Sequence, residues 1–224
     1  IELGGEAIAV EGELYVLTLG QVTDPGNDMV SEYIVDWGDG TRESYLSGGE
    51  KTHTYWTPGV TPSISVSLVD EDGRYDDVAG MEILVVSAAP EITSLSLDQI
   101  LIHESGTVTL TGEFEQLGLT VEHGVTIEWG DGSTSTLALQ SGEESFVVQH
   151  RYLDDDPSGT RSDEYNIHVT VEDNDEDTDS GNLTLTVLNV AAILSEVSAT
   201  AVVENGFSTL TGTITDPGTR DTFE

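Results

Sequence analysis

The sequence predicts an all-β protein in which small β-sandwich domains follow one another along the chain. Two observations indicate this fold class. A Trp-Gly-Asp-Gly motif occurs at residues 37–40 and again at 129–132, roughly ninety residues later, and a His-x-Tyr motif follows each copy. Apolar and polar residues alternate along much of the chain, and no segment keeps a period of 3.6 residues. A repeat of this length is too long for a solenoid and fits tandem sandwich domains.

The alternating segments are expected to be strands with one buried and one solvated face. In the first copy, Ile64, Val66 and Leu68 alternate with serines. Clusters of Gly and Asp interrupt these segments at the spacing that is typical of a sandwich. The corresponding apolar residues of the second copy are Val108 and Leu110, then Ile167, Val169 and Val171, then Leu183, Leu185 and Val187.

The order of the motifs divides the chain into two full copies and the beginning of a third. We place the first sandwich at residues 1–88, the second at 89–190 and the first strands of a third at 191–224. A Thr-Asp-Pro-Gly motif occurs in the first and third copies, at 23–26 and 215–218, and is absent from the second. The connections between copies are short and apolar, so stiff stacking is expected. We expect the sequence to be a segment of a longer array.

The charge of the chain limits its partners. It has 43 acidic and 6 basic residues and a net charge of −37. Nucleic acids and anionic membranes require Lys and Arg, so we expect neither as a partner. No stretch of about 18 apolar residues is present, so we expect no membrane insertion within this segment. The absence of cysteine makes a bound divalent cation a plausible replacement for disulfides. The alternative is a surface adapted to high salt.

The motifs resemble those of the PKD (polycystic kidney disease) domain, in the form found in long bacterial surface proteins. The resemblance rests on Trp-Gly-Asp-Gly, the His-x-Tyr that follows it and then an acidic turn, at 70–73 in the first copy and 173–177 in the second. Asp-Pro-Gly, which comes before these motifs in the first copy, adds to it. It implies immunoglobulin-like sandwiches of about seven strands, outside the cell or on its surface, without catalytic activity. The second copy departs from the pattern, because it lacks Asp-Pro-Gly and has Glu128 where the first copy has Asp36.

The motif residues are expected to serve the fold. Trp37 is well placed to fill the core between the sheets, Gly38 and Gly40 suit positive φ angles, and Asp39 can accept hydrogen bonds from its own turn. His53 is expected to bond to that aspartate. Trp129 and His150 are the counterparts in the second copy. We expect no catalytic role for either histidine, because the sequence shows no serine, cysteine or metal-ligand partner that recurs with them.

Four aspartates of the first copy are expected to form a Ca²⁺ site. In a Greek-key sandwich, the loop with Asp24 and Asp28 and the loop with Asp70 and Asp72 lie at the same end. Converging carboxylates repel one another unless a cation is bound. Oxygen ligands from flexible turns suit Ca²⁺ better than Mg²⁺, and the absence of cysteine disfavours zinc.

A second cation site is expected at the opposite end. There Glu11 could meet Asp173 and Asp175 of the second copy, and an ion would stiffen the array. Glu104 is the equivalent of Glu11 and would face the third copy, whose late acidic loop lies beyond this sequence, so we expect that junction to be incomplete.

The alternative for all these acids is that they form solvated turns. An EF-hand is excluded, because Thr178 and Thr184 stand where that loop needs glycine and a bidentate glutamate.

These observations favour a non-catalytic, Ca²⁺-stabilised spacer or adhesion segment of a secreted or surface protein. Its partners would be the neighbouring repeats of the same chain, and possible further partners are other proteins or cell-surface glycans. The alternative is a carbohydrate- or substrate-binding accessory module of a secreted hydrolase, in which Tyr45, Trp56 and Tyr75 would contact the ligand. A glycosidase-type carboxylate pair and a cadherin-like repeat are weaker alternatives.

Overall fold

The computed structural model describes residues 1–23, 29–118, 121–155, 158 and 160–221, and its regular elements are all β-strands. The chain forms two compact units. The first consists of Ile1–Pro90 with the short segments Gln116–Val121 and Asp173–Asp177, and the second consists of Glu91–Glu115, Glu122–Glu172 and the chain from Thr178 onward. In the described part of the chain, no helix has the length and apolar character needed to cross a bilayer.

The first unit is a two-layer β-sandwich. Its strands are β1 (Leu3–Gly4), β2 (Ile8–Val10), β3 (Leu14–Leu19), β4 (Glu32–Asp36), β5 (Arg42–Tyr45), β6 (Gly49–Thr54), β7 (Ser63–Val69), β8 (Arg74–Glu82) and β9 (Leu84–Val86). One antiparallel sheet has the order β1-β3-β6 and the other the order β5-β4-β7-β8. The short strands β2 and β9 pair in parallel.

The second unit repeats this plan. Its strands are β10 (Glu91–Leu97), β11 (Leu101–His103), β12 (Thr107–Glu115), β13 (His123–Glu128), β14 (Thr134–Leu139), β15 (Ser145–Arg151), β16 (Ser162–Glu172) and β17 (Thr178–Leu188). The sheets have the orders β10-β12-β15 and β11-β17-β16-β13-β14. In both units the first strand is divided into two short strands, β1 and β2 in the first unit and β10 and β11 in the second. The second of the two pairs in parallel with the last strand of its unit. The predicted immunoglobulin-like, all-β sandwich is therefore confirmed.

The alternating apolar residues form the two cores. In β7, Ile64, Val66 and Leu68 are buried between the sheets, as their spacing predicts. In the second unit every predicted alternating residue is buried except Leu183, which is partly exposed and packs against the core. The tryptophans of both motifs are fully buried. The cores thus follow from a period of two residues and one large aromatic side chain in each sandwich.

The third copy contributes one antiparallel hairpin to the second unit. It is formed by β18 (Ile193–Ala199) and β19 (Leu210–Thr215), and every residue of both strands is exposed. Two strands do not bury an apolar face by themselves. Polar contacts of the residues that follow β19 hold the end of this hairpin in place.

Candidate metal centre

The centre is built around Glu104, which directly follows β11. The parallel pairing of β11 with β17 continues one residue further, since the amide of Glu104 donates to the carbonyl of Leu188 at 2.9 Å. The side chain is only 3% exposed. Its Oε1 accepts a hydrogen bond from the amide of Val190 at 2.7 Å, and its Oε2 has no hydrogen-bond partner among the described residues. A buried carboxylate oxygen without a partner is unfavourable unless a cation compensates it.

Two aspartates reach Glu104 from the end of β15. Asp154 and Asp155 follow the His-x-Tyr motif after one intervening residue, and Tyr152 of that motif makes two hydrogen bonds that anchor it. The amide of Tyr152 donates to the carbonyl of Gly106 at 3.0 Å, and its hydroxyl donates to the carbonyl of Trp129 at 2.8 Å. The buried tyrosine therefore fixes the point at which the chain turns towards the two carboxylates.

The loop after β19 supplies a fourth carboxylate. The amide of Arg220 donates to Oδ2 of Asp154, and the hydroxyl of Ser105 donates to the carbonyl of Pro217 at 2.9 Å. These two bonds tie the Asp-Pro-Gly loop of the third copy to the second copy. They also place Asp221, the residue after Arg220, beside Glu104.

The four carboxylates share one small volume. Ligand atoms of Glu104, Asp154, Asp155 and Asp221 all lie within 4.8 Å of one another, and this is the one group of three or more acidic or histidine residues with such spacing in the described ranges. A Cβ atom on Gly218 would lie 2.4 Å from Oε2 of Glu104 and 2.8 Å from Oδ2 of Asp221. Glycine at this position keeps the space between the two oxygens open.

The electrostatics of the centre favour a cation. Burial raises the pKa of the Glu104 carboxyl, and the charges of Asp221, Asp216 and Asp155 raise it further against the hydrogen bond from Val190. Burial and the neighbouring Asp216 also raise the pKa of Asp221. Raised pKa values mean that the negative charges are unfavourable together, and a divalent ion would remove that cost. Carboxylate oxygens are the ligands that Ca²⁺ and Mg²⁺ prefer.

The predicted site of the first copy is described only in part. Asp24 and Asp28 lie outside the described residues. Asp70 caps its own turn, since its Oδ1 accepts hydrogen bonds from the amides of Asp72 at 2.8 Å and Gly73 at 3.1 Å. A Ca²⁺ site at these four aspartates stays a prediction.

Of the residues predicted for the second site and its equivalent, Glu11, Asp173 and Asp175 lie in the first unit. Glu104 lies in the second unit. Glu11 is buried, and a Cβ on Gly118 would lie 2.3 Å from its carboxyl carbon. Asp173 is buried and accepts hydrogen bonds from the amides of Asp175 and Asp177, at 2.9 and 3.0 Å. Within the described ranges, Glu11, Asp173 and Asp175 do not come together as a group of metal-ligand spacing.

Glu104 has acidic neighbours that sequence reasoning did not assign to it. That reasoning paired it with a late loop of the third copy, whereas the structure surrounds it with Asp154, Asp155 and Asp221. The available signal was the acidic run after Tyr152 together with the Asp-Pro-Gly loop. The run does not recur, because Thr57 and Pro58 occupy the matching positions of the first copy.

The motif histidines have the structural role that the sequence predicts. In the first unit the ring of His53 stacks on Trp37, with centroids 4.7 Å apart and planes 10° apart. Its Nε2 bonds to Oδ2 of Asp39 at 2.7 Å, while Oδ1 of Asp39 accepts from the amide of Thr41 at 2.9 Å. The hydroxyl of Tyr55 donates to the carbonyl of Trp37 at 2.9 Å. Turn, histidine and core tryptophan are thus one connected unit.

A hydroxyl lies beside each motif histidine, and it belongs to Thr41 in the first copy and to Ser133 in the second. In the second unit Ser133 Oγ lies 3.3 Å from Nε2 of His150, and the same Nε2 lies 2.8 Å from Oδ2 of Asp131. In a catalytic triad the serine and the aspartate contact opposite nitrogens of the ring. Here both contact Nε2, and His150 stacks on Trp129 with centroids 4.5 Å apart. The arrangement fixes the turn and does not form a proton relay.

Comparison with known proteins gives structural neighbours alone, because no protein-family model and no curated protein matches the sequence. The PKD domain of an M14-like peptidase from a Thermoplasmatales archaeon aligns with 45% of this chain and 96% of that one, with 18% identity and a TM-score of 0.37. The fibronectin(III)-like modules of Clostridium thermocellum CbhA align with 84% of this chain and 93% of theirs, with 13% identity and a TM-score of 0.31. The FN1–FN3 domains of chicken CNTN1 align with 83% of this chain and 63% of that one, with 12% identity and a TM-score of 0.33. These similarities are too low to assign a family.

Proposed function

We propose that this chain is a non-catalytic, Ca²⁺-stabilised repeat segment of a long secreted or surface protein, in which it acts as a rigid spacer or adhesion module. The observation that supports this most directly is the acidic centre at Glu104, where the buried Oε2 of Glu104 has no hydrogen-bond partner among the described residues. A spacer needs stiffness between its repeats, and an ion held by two repeats supplies it.

The proposed ion is Ca²⁺ because of the kind and number of its ligands. Four carboxylates offer up to eight oxygens, and Ca²⁺ accepts about six to eight at flexible distances, whereas Mg²⁺ requires a strict octahedron and retains water. The chain has no cysteine, and within the described ranges no histidine belongs to the group. This donor set disfavours zinc.

Thermal unfolding with and without calcium tests the proposal. After chelation and dialysis, millimolar CaCl₂ should raise the melting temperature relative to MgCl₂ at equal ionic strength. Binding to the native state alone adds about 2.7 kcal/mol at a hundredfold excess of ligand over Kd, which for domains of this size is on the order of ten degrees. Equal melting temperatures in the two salts would contradict a calcium-stabilised segment.

One exposed aromatic residue favours the second candidate function, an accessory module that binds a carbohydrate or another substrate. Trp56 follows the first His-x-Tyr motif, and 58% of it is exposed, whereas the two motif tryptophans are fully buried. An exposed indole can stack on a sugar ring. Retention of the wild-type chain on insoluble polysaccharides, lost in Trp56→Ala with an unchanged melting temperature, would establish this function.

A further inference from the structure

We infer that the ion at the Glu104 centre works as a calcium-dependent clasp, which holds the Asp-Pro-Gly loop of the third copy, residues 215–221, on the second copy. The inference rests on the proposed function and adds a specific element whose order depends on calcium. It starts from the composition of the centre, in which Glu104, Asp154 and Asp155 belong to the second copy and Asp221 belongs to the third. An ion bound by all four carboxylates connects two copies directly.

The contacts that hold the loop without an ion include hydrogen bonds to the second copy. The bonds named above, from Ser105 to Pro217 and from Arg220 to Asp154, join residues 215–221 to the second copy. Both strands of the hairpin that leads into the loop are exposed along their whole length. Apolar burial therefore contributes little to holding this loop in place.

When calcium is absent, repulsion between carboxylates opposes the position of the loop on the second copy. Asp221 lies within reach of three other carboxylates, and one of them is the buried Glu104. Like charges at such distances repel strongly where water is excluded, and moving the loop away would relieve the repulsion. A divalent ion reverses the sign of the interaction between the loop and the second copy. The loop should thus be held when calcium is bound and released when calcium is removed.

The equivalent residue of the first copy lacks this set of acids. Glu11 is buried like Glu104, but Thr57 and Pro58 stand where the second copy has Asp154 and Asp155. Gln116 and Val121 of the second copy stand where the third copy has Asp216 and Asp221. A buried glutamate at this position is therefore not sufficient for the clasp, and Glu11 provides a matched control.

Amide hydrogen exchange of the whole chain, in millimolar CaCl₂ and in chelator, tests the clasp. In wild type, calcium should slow exchange of the amides of Val190, Gly218 and Arg220, all of which donate to carboxylates of the centre or its loop. If the ion binds only while residues 215–221 lie on the second copy, the exchange rate of these amides should fall by about a hundredfold. This value applies when calcium is in about hundredfold excess over Kd. Asp221→Asn should lose this effect, and Glu11→Gln should keep it.

The outcomes separate the clasp from the proposed function. A calcium-dependent rise in melting temperature without slower exchange at 215–221 would overturn the clasp and leave the calcium-stabilised segment standing. No rise and no slowing would contradict both. Slowing that persists in Asp221→Asn, or that disappears in Glu11→Gln, would also overturn the clasp, because the ion would then be held elsewhere. Asp221 is partly exposed, so its replacement should not unfold the sandwich, and near-ultraviolet circular dichroism checks this.

Discussion

One histidine in each sandwich joins the tight turn to the core. His53 and His150 each stack on the core tryptophan and bond to the aspartate of the turn through Nε2. Burial disfavours ionisation of Asp39 and Asp131, but the hydrogen bonds from the turn hydroxyl and the histidine outweigh it, so the pKa of each aspartate is lowered. The charged form of each aspartate therefore stabilises the folded state.

Removal of one of these carboxylates should destabilise its own sandwich. Asp131→Ala leaves His150, and the amide and hydroxyl of Ser133, without their acceptor. The free energy of unfolding should fall by about 1–3 kcal/mol, which is the typical cost of such a loss. Urea unfolding followed by tryptophan fluorescence measures it. Glu164→Ala, at an exposed position of β16, is the control and should change stability little.

The pH dependence of this loss has a defined direction. An aspartate whose pKa is lowered on folding contributes stability that is fully present above its unfolded pKa of about 3.9 and disappears as the pH falls through the lower folded value. The difference in stability between wild type and Asp131→Ala should thus be constant from about pH 7 to 5 and should shrink below about pH 4. Melting curves of both proteins across this range provide the measurement. A difference that grows on acidification would show that the carboxylate is not the stabilising form.

The role of these motif residues could be predicted from the sequence, whereas the neighbours of Glu104 could not. The aspartate, histidine and tryptophan recur at matched spacings, so repetition alone points to a shared local structure. Asp154 and Asp155 do not recur, and Asp221 comes close to them only through the path of the loop after β19. Contacts that depend on how one copy meets the next leave no periodic signal.

At the scale of the element, the two glycines of each tight turn have different requirements. Gly130 and Gly132 have φ angles of 83° and 88°, in the left-handed region that favours glycine. A Cβ on Gly130 would lie 2.6 Å from the carbonyl oxygen of Asn166 in β16, whereas a Cβ on Gly132 would meet nothing within 4 Å. The first glycine therefore permits close approach of two strands, and the second satisfies backbone conformation alone.

This difference predicts unequal costs for the same substitution. Gly132→Ala should lower the free energy of unfolding by about 1 kcal/mol, the cost of a left-handed alanine. Gly130→Ala should lower it by about 3 kcal/mol or more, because steric overlap with a backbone atom is added to that cost. Denaturant unfolding of the two variants side by side tests the difference. Similar losses would mean that the approach of the turn to β16 is not tight in solution.

The strands themselves could be predicted from alternation, but their irregularities could not. In β7, Ile64, Val66 and Leu68 are buried as expected, and the pairing with β8 nevertheless shifts register between Val66 and Leu68. The pairing of β10 with β12 shifts in the same way between Ile92 and Ser94. A period of two residues predicts which face of a strand is buried. It does not predict where an extra residue in one strand shifts the register of the pair.

At the scale of the whole molecule, the net charge of −37 makes every measurement of stability depend on salt. Self-repulsion destabilises the compact state, and monovalent salt screens it, with a Debye length of about 10 Å at 0.1 M and about 3 Å at 1 M. The melting temperature should therefore rise when KCl is raised from about 0.1 to about 1 M, with or without calcium. This general effect is all that a surface adapted to high salt would show.

A bound ion and general screening respond differently to the same increase in KCl. Carboxylates that are buried or partly buried and lie within 4.8 Å of one another are screened less than exposed ones, so the calcium-induced shift in melting temperature should shrink at high salt and still persist. Glu104→Gln should lose this residual shift, because it removes the charge of a carboxylate whose buried Oε2 has no hydrogen-bond partner among the described residues. Glu11→Gln should retain it. A shift that vanishes for wild type in 1 M KCl would assign the effect of calcium to screening of the surface charge and would contradict ion binding at Glu104.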